Sequence, residues 1–374
     1  MNQKTFLALL ACALPFAAAC GDTTAEPIGS GGGSSASTSG SSSASSPAST
    51  GTTTTSGGGG ASGACAPACG SGEVCVESSC HAVTKLDTAG STNEGACNIV
   101  LDATHVYWKT GDVRRVAKAG GPSTLLDFTT TSPGGLAVDD TYLYWTSLGI
   151  LRAEKTAASV PGTTAGIQFA DEGGSPTHLA GDGTTLFYLD GSTIDEVPTA
   201  GTPAPDAPPT VFDGTWSGVG GPVAVDATSV YSWSEAASLL VKENKSTHAS
   251  ITLGNRGNGK VDDNCGIVVD GDTVYYSTAP LPAEGGIVAS VSVAGGQQPT
   301  IVVDTSAGAT GVFAVDGTSV YFMTPTGVLK VAKSGGTPVS LSNLSPPSAF
   351  PTCIAVDDTY VYWVDGLDLM QYKK

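Results

Sequence analysis

The sequence predicts an all-β fold of seven four-stranded units, and three observations carry that prediction. The stretch Leu136-Ala137-Val138-Asp139-Asp140-Thr141-Tyr142-Leu143-Tyr144-Trp145 has counterparts at Ile99 to Trp108, Leu179 to Tyr188, Val223 to Ser232, Ile267 to Tyr276, Phe313 to Phe322 and Ile354 to Trp363. Its acid falls at Asp102, Asp139, Asp182, Asp226, Asp270, Asp316 and Asp357, 37 to 46 residues apart, the range in which a four-stranded blade is the expected repeat. The 3.6-residue apolar period of a helix-pair solenoid is not visible. Such units close into a seven-bladed β-propeller of four-stranded antiparallel blades; a six-bladed ring with one displaced repeat is the alternative.

Within each copy the innermost strand alternates. Ile99, Leu136, Leu179, Val223, Ile267, Phe313 and Ile354 occupy one face, and Val100, Ala137, Ala180, Ala224, Val268, Ala314 and Ala355 the other. The small second set suits sheets that converge toward an axis. The Asp then opens a turn. Asp182-Gly183, Asp270-Gly271 and Asp316-Gly317 supply a dipeptide that tolerates positive φ, and elsewhere the Asp side chain accepts a backbone amide two residues on. Five residues beyond the Asp stands an aromatic: Tyr107, Tyr144, Phe187, Tyr231, Tyr275, Tyr321 or Tyr362. These rings are expected between neighbouring blades, each burying about 150 to 250 Å², or roughly 4 to 6 kcal/mol before entropy.

Third strands repeat as well, with Val116-Ala117-Lys118-Ala119-Gly120-Gly121 and Val331-Ala332-Lys333-Ser334-Gly335-Gly336 nearly identical. The last copy lacks an outer strand, because the chain stops at Lys374 soon after Leu367-Asp368-Leu369-Met370. Residues 82–87 resemble the outer strand of residues 122–127 and are expected to supply it, since a ring closes only when its edges are paired. The longest departures from the repeat, residues 156–176, 198–209 and 253–264, read as loops, the usual place for recognition on a regular scaffold.

Ahead of the repeats lie three further segments. Residues 1–19 carry Lys4, an apolar run from Phe6 to Phe16 and Ala17-Ala18-Ala19, an export signal too short to span a bilayer. Ala17 to Gly21 resembles a bacterial lipoprotein processing site, which makes Cys20 the expected lipidated residue. Leu9-Leu10-Ala11-Cys12 also fits the letter pattern, but leaves a very short apolar run. Residues 20–64, almost wholly Ser, Gly, Thr, Ala and Pro from 23 onward, form no core and act as a tether with a reach of roughly 35 Å. Cys65, Cys69, Cys75 and Cys80, within residues 65–80, are expected to form two disulfides in a small module of an exported chain, with three pairings open. Residues 81–374 form the propeller.

Tyr144-Trp145-Thr146, with Tyr107-Trp108 and Tyr362-Trp363, resembles the Tyr-Trp-Thr-Asp propeller repeats of lipoprotein receptors. That resemblance implies the architecture of residues 81–374 and no ligand. Those receptor propellers have six blades, the origin of the six-blade alternative.

Cys97, Cys265 and Cys353 each precede an inner strand. Cys97 and Cys353 belong to the first and last copies, neighbours in a closed ring, so a disulfide between them is expected to reinforce the seam by about 4 to 5 kcal/mol on the chain-entropy estimate; three buried thiols are the alternative, and Cys265 is left over. His81, His105, His178 and His248 are scattered, with no i, i+4 partner, so no metal site is expected of them. Residues 255–263 echo a calcium loop without its acid spacing and read as a polar loop. No Gly-x-Ser-x-Gly elbow and no phosphate-cradling loop occurs, and no cofactor is expected.

A formal charge of -18, from 34 acidic and 16 basic residues, excludes nucleic-acid binding and charge-driven docking on anionic lipid. The expectation is a lipid-anchored, monomeric propeller of the bacterial cell envelope, on the outer membrane or cell surface, touching the membrane through its lipid alone and binding a protein, peptide or glycan at one face. An envelope-assembly accessory is a second expectation. A propeller enzyme (hydrolase, lyase or dehydrogenase) is a third, since the fold hosts many chemistries.

Overall fold

Seven aromatic–aliphatic cores, one between each pair of neighbouring blades, hold the molecule together. The structure, a computed structural model, describes residues 65, 68–76, 78–88, 98–128, 134–159, 164–170, 176–200, 210–213, 219–234, 239–255, 266–278, 286–304, 307–343, 353–366 and 368–374. Cys20, Cys97, Cys265 and the expected signal and tether therefore lie outside the described residues. Among those described there is no α-helix, and no helix is long and apolar enough to cross a membrane.

Blade 1 consists of Asn98–Leu101, His105–Lys109, Val113–Ala117 and Thr124–Asp127, paired in that order from the axis outward, with every pair antiparallel. Blades 2 to 6 repeat the arrangement over Leu136 to Ala170, Thr177 to Asp213, Val219 to Asn255, Ile267 to Val303 and Phe313 to Asn343. Blade 7 is different. Its inner three strands, Ile354–Val356, Tyr360–Asp365 and Asp368–Lys373, are joined on the outside by Ser79–Thr88, which brings Val83 opposite Tyr372 and Lys85 opposite Met370. Glu73–Val76 adds a fifth strand beyond it. Successive inner strands are neighbours, and the seventh neighbours the first, so the ring is closed and has seven blades rather than six.

The alternation of the inner strand decides which blade each side chain meets. Leu136 of blade 2 packs on Tyr107 of blade 1, Leu179 on Tyr144, Val223 on Phe187, Ile267 on Tyr231, Phe313 on Tyr275, Ile354 on Tyr321 and Ile99 on Tyr362. The small residues face the other way, Val100 into the blade 1–2 core and Ala355 into the blade 7–1 core. Small side chains on this face let the next blade approach, and Gly135 goes further, since a Cβ there would lie 2.0 Å from the Leu179 amide nitrogen. Six residues past the Asp, the buried Trp145 turns back toward blade 1, where its Nε1 donates to Asp127 Oδ2 at 2.8 Å.

The four N-terminal cysteines form two disulfides, Cys65–Cys75 and Cys69–Cys80. Cys353, 4 % exposed, is also disulfide-bonded, to a partner outside the described residues, and sits in the blade 7–1 core with Ile99, Trp108 and Leu369. The cysteine hairpin and the propeller are continuous, because the second hairpin strand is itself the closing strand of blade 7.

Candidate functional site at one mouth of the ring

The repeated Asp builds the turn between the first two strands of each blade. Asp102 Oδ1 accepts the amides of Thr104 and His105, both at 2.7 Å, while its Oδ2 accepts the Tyr107 hydroxyl at 2.9 Å. The same double use recurs at Asp139 with Tyr144, Asp226 with Tyr231, Asp316 with Tyr321 and Asp357 with Tyr362, at 2.6 to 3.2 Å. Asp182 makes the two amide bonds, its aromatic being Phe187. Asp270 instead heads a two-residue turn in which it pairs with Thr273. Of the Asp-Gly glycines, Gly183 and Gly271 adopt positive φ and Gly317 does not.

A lysine at the end of the third strand then reaches the Asp of the preceding blade. The pairs are Lys155–Asp102 at 3.2 Å, Lys245–Asp182 at 2.6 Å, Lys333–Asp270, Lys374–Asp316 at 2.6 Å and Lys118–Asp357 at 2.7 Å. Thr199 and Val293 stand where the remaining two lysines would be. There the cation comes from the other side of the seam: Arg152, stacked on Tyr142 and Phe169, donates to the Thr199 carbonyl at 3.4 Å, and Lys242 donates to the Val293 carbonyl at 3.1 Å. Each of the seven seams thus carries a bridging cation. Burial alone would raise the carboxyls of Asp102, Asp182 and Asp316, but amide, hydroxyl and lysine bonds outweigh it and hold them well below the usual range. Burial, then the carboxylate beside each ring, pushes the Tyr107 and Tyr321 hydroxyls up.

On this face the turns of blades 1 to 4 enclose an open depression of about 950 Å³, lined by Asp102, Thr104, Asp139, Asp140, Thr141, Asp182, Thr199, Ala200 and Asp226 among others. Its size lies within the range of small-molecule and peptide-group sites. Asp102 and Asp182 arrive with lysines, whereas among the described residues the carboxylates of Asp139 and Asp226 form no ion pair with a lysine, though Lys245 also donates to the Asp226 carbonyl, and Asp140 is exposed. The wall is therefore hydroxyl-rich with an excess of negative charge. Lys155 in the lining directly follows the third strand of blade 2, and Thr199 and Ala200 follow that of blade 3, the latter two inside the departure at residues 198–209.

The four histidines remain apart: His81 in the closing strand, His105 at the blade 1 turn, His178 on the inner strand of blade 3, and His248 in a blade 4 turn, bonded to the buried Glu243 at 2.9 Å. Among the described residues the one group with metal-ligand spacing is Cys65, Cys69 and Cys80, whose sulfurs are committed to disulfides. One buried cation lies at the blade 1–2 seam: Lys109 is 1 % exposed and donates to the Thr146 carbonyl at 2.8 Å. Burial pushes its ammonium down to about 8, opposed by the Asp127 carboxylate.

Neither the seam cations nor the depression is evident from sequence alone. The lysine of the Val-Ala-Lys repeat was a signal, but its partner sits on another blade.

No family model and no curated protein matches the chain. Solved structures match its shape. Streptogramin B lyase superposes with TM-score 0.57 at 10% identity, over 78% of this chain and 97% of that one. A catalytically inactive variant of virginiamycin B lyase from Staphylococcus aureus, crystallised with quinupristin, gives 0.59 at 9% identity, over 79% and 99%. The extracellular domain of a one-component system from B. thetaiotaomicron gives 0.53 at 12% identity, over 77% and 39%. At these identities the likeness is one of fold: the chain is a seven-bladed β-propeller.

Proposed function

We propose that this chain is a lipid-anchored, extracytoplasmic binding module that takes a protein, peptide or glycan ligand in the depression formed by blades 1 to 4. The observation that carries the reading is that depression of about 950 Å³, where inner turns of four blades meet the start of the long connection after the third strand of blade 3. Its lining of Thr hydroxyls and of five carboxylates, two of them paired with lysine, suits hydroxyl-bearing or amine-bearing groups and repels polyanions. Exposure of the chain to an oxidising compartment is supported by its disulfides, and the anchor by the apolar run ahead of Cys20 and the Ser/Gly tether after it. An acyl chain on Cys20 would attach the molecule independently of its folded body.

Two experiments test this. The folded protein is applied to glycan and peptide arrays beside an Ala227→Trp variant, which places an indole in the depression, because Ala227 is an exposed lining residue in the blade 4 turn. Retention by the parent and loss in the variant, at equal melting temperature, is the expected result. No retention by the folded parent, or equal retention by both, overturns the site. Intact-mass measurement on the membrane fraction is expected to show an acylated chain beginning at Cys20, and an unmodified soluble chain removes the anchor. Crosslinked recovery of outer-membrane assembly proteins instead of an external ligand would favour the accessory reading.

A further inference from the structure

The disulfide module and the strand that closes the ring are one mechanical unit. Cys75 and Cys80 stand opposite each other in the hairpin, and the preceding segment is bonded to each strand once, through Cys65 to Cys75 and Cys69 to Cys80. The second hairpin strand, Ser79–Thr88, then pairs along blade 7. The first places Val76, 1 % exposed, in the blade 6–7 core beside Leu341 and Tyr372. Every other blade joins its strands through consecutive turns. Here the pairing spans most of the chain, with His81 Nδ1 and the Lys373 carbonyl, 292 residues apart, in contact at 3.1 Å. Closing so long a loop costs entropy that local pairings do not.

The sulfurs are placed unlike that of Cys353. Cys80 is exposed, Cys65, Cys69 and Cys75 are half-buried, and Cys353 is enclosed in the blade 7–1 core. Moreover the Sγ atoms of Cys65, Cys69 and Cys80 lie within 4.8 Å of one another, so each bond has a sulfur of the other within a short displacement.

We propose that the Cys65–Cys75 and Cys69–Cys80 pair is a redox latch on the ring, opened by a small dithiol through coupled exchange. A thiolate of the dithiol attacks Cys80 Sγ, forming a mixed disulfide and expelling Cys69 as thiolate. The second thiolate of the reagent attacks the mixed bond and leaves as a cyclic disulfide, releasing Cys80. Two electrons, and two protons once both sulfurs are protonated, have then passed to the protein. A freed Cys69 or Cys80 thiolate next attacks Cys65, transferring the remaining bond and releasing Cys75 with no net electron change. A second dithiol then reduces the exchanged Cys65–Cys69 or Cys65–Cys80 bond in the same way, leaving as a second cyclic disulfide, so the hairpin loses its hold on the preceding segment, and Ser79–Thr88 detaches from blade 7 while blades 1 to 6 and the Cys353 bond remain.

Graded dithiothreitol on the full-length folded protein, followed by alkylation, peptide mass mapping and hydrogen exchange, tests the latch. Cys65, Cys69, Cys75 and Cys80 are expected to be labelled before Cys353, through an intermediate carrying a Cys65–Cys80 or Cys65–Cys69 bond. Amide exchange over Ser79–Thr88 is expected to rise roughly tenfold or more while the inner strands of blades 1 to 6 stay protected. Unchanged protection of Ser79–Thr88 with all four cysteines alkylated overturns the proposal, as does simultaneous loss in every blade. The double substitution Cys69→Ser with Cys80→Ser leaves the single Cys65–Cys75 bond without its exchange partners; Cys75 is then expected to be labelled several-fold more slowly than in the parent, and an unchanged rate would contradict the exchange step.

Discussion

The blade 1–2 seam and the blade 7–1 seam use the same repeat and are held differently. At the first, Trp145 donates its indole N–H to Asp127 at the end of the neighbouring outer strand. At the second, Trp108 and Asp87 hold the corresponding places, yet neither Trp108 Nε1 nor Asp87 Oδ2 has a hydrogen-bond partner. Both seams have the Lys–Asp bridge, at 3.2 Å for Lys155–Asp102 and 2.7 Å for Lys118–Asp357. The second adds what the first lacks, namely a buried disulfide at Cys353 and a stapled hairpin outside its blade. The indole contact of Trp145 is itself the exception, since Trp233 and Trp363 also lack a partner, so it is loop-closure entropy, greatest at the one blade assembled from distant segments, that the covalent bonds at blade 7 offset.

The sharpest way to break this contrast is to remove the closing strand. A chain beginning at Thr88 loses Val76, Val83 and Leu86 from the blade 7 cores, worth about 5 kcal/mol in apolar burial, and re-exposes the strand Asp368–Lys373 as an edge. A fall in thermal midpoint of many degrees is expected; an unchanged melt would show that this strand does not close the ring.

The contiguous seam contains its own liability. Lys109 is driven to about 8 by burial, against roughly 10.4 in an unfolded chain. Between those values the unfolded state binds more protons, so wild-type stability rises with pH across that window and is lowest below it. The difference corresponds to about 3 kcal/mol. Lys109→Met is expected to raise stability by up to that amount at pH 7, the gain shrinking as pH climbs from 8 toward 10. Denaturant titration at several pH values checks it, and a pH-independent difference would mean the ammonium is not the cause.

Paired tryptophan substitutions compare the seams directly. Trp145→Phe leaves the Asp127 carboxylate without its indole donor, whereas Trp108→Phe removes no existing bond. Both lose indole packing, so the first is expected to cost about 1 to 2 kcal/mol more than the second by urea denaturation. Equal costs would mean that the Trp108 indole is satisfied in solution.

What could be read from the residues follows from where their partners lie. Blade number, the Asp turns, the inter-blade aromatics and the closing strand all depend on patterns within one repeat or on the two ends of the chain, and residues 82–87 resemble 122–127 closely enough to place the last strand. The seam lysines lie sixteen residues after the Asp in blade 1 (Asp102 to Lys118), but Val293 occupies the equivalent place twenty-three after Asp270. The spacing drifts because hairpin lengths vary while the three-dimensional position does not, and each lysine bonds the Asp of a different blade. The depression has the same origin. Asp102, Asp139, Asp182 and Asp226 meet only after the ring closes, so no local motif announces it. The loop that reaches it through Thr199 and Ala200 is visible in the sequence as the departure at residues 198–209.

The two seams without a lysine allow the smallest test. At blade 4–5, Val293 occupies the lysine's place, Asp226 has its amide and tyrosine bonds but no ion pair among the described residues, and Lys242 bridges to the Val293 carbonyl instead. Because that bridge ends on the backbone, Val293→Lys keeps it and adds an ammonium where Lys245 and Lys374 stand in other blades. Exposed or half-exposed pairs of this kind are worth about 0.2 to 1 kcal/mol, so a small gain in stability at low salt is expected, shrinking as ionic strength screens it. Were the variant less stable than the parent at every salt concentration, the lysine positions would not be interchangeable around the ring, and the alternation between Lys–Asp bridges and backbone bridges would reflect local differences in blade packing rather than two solutions to one electrostatic problem.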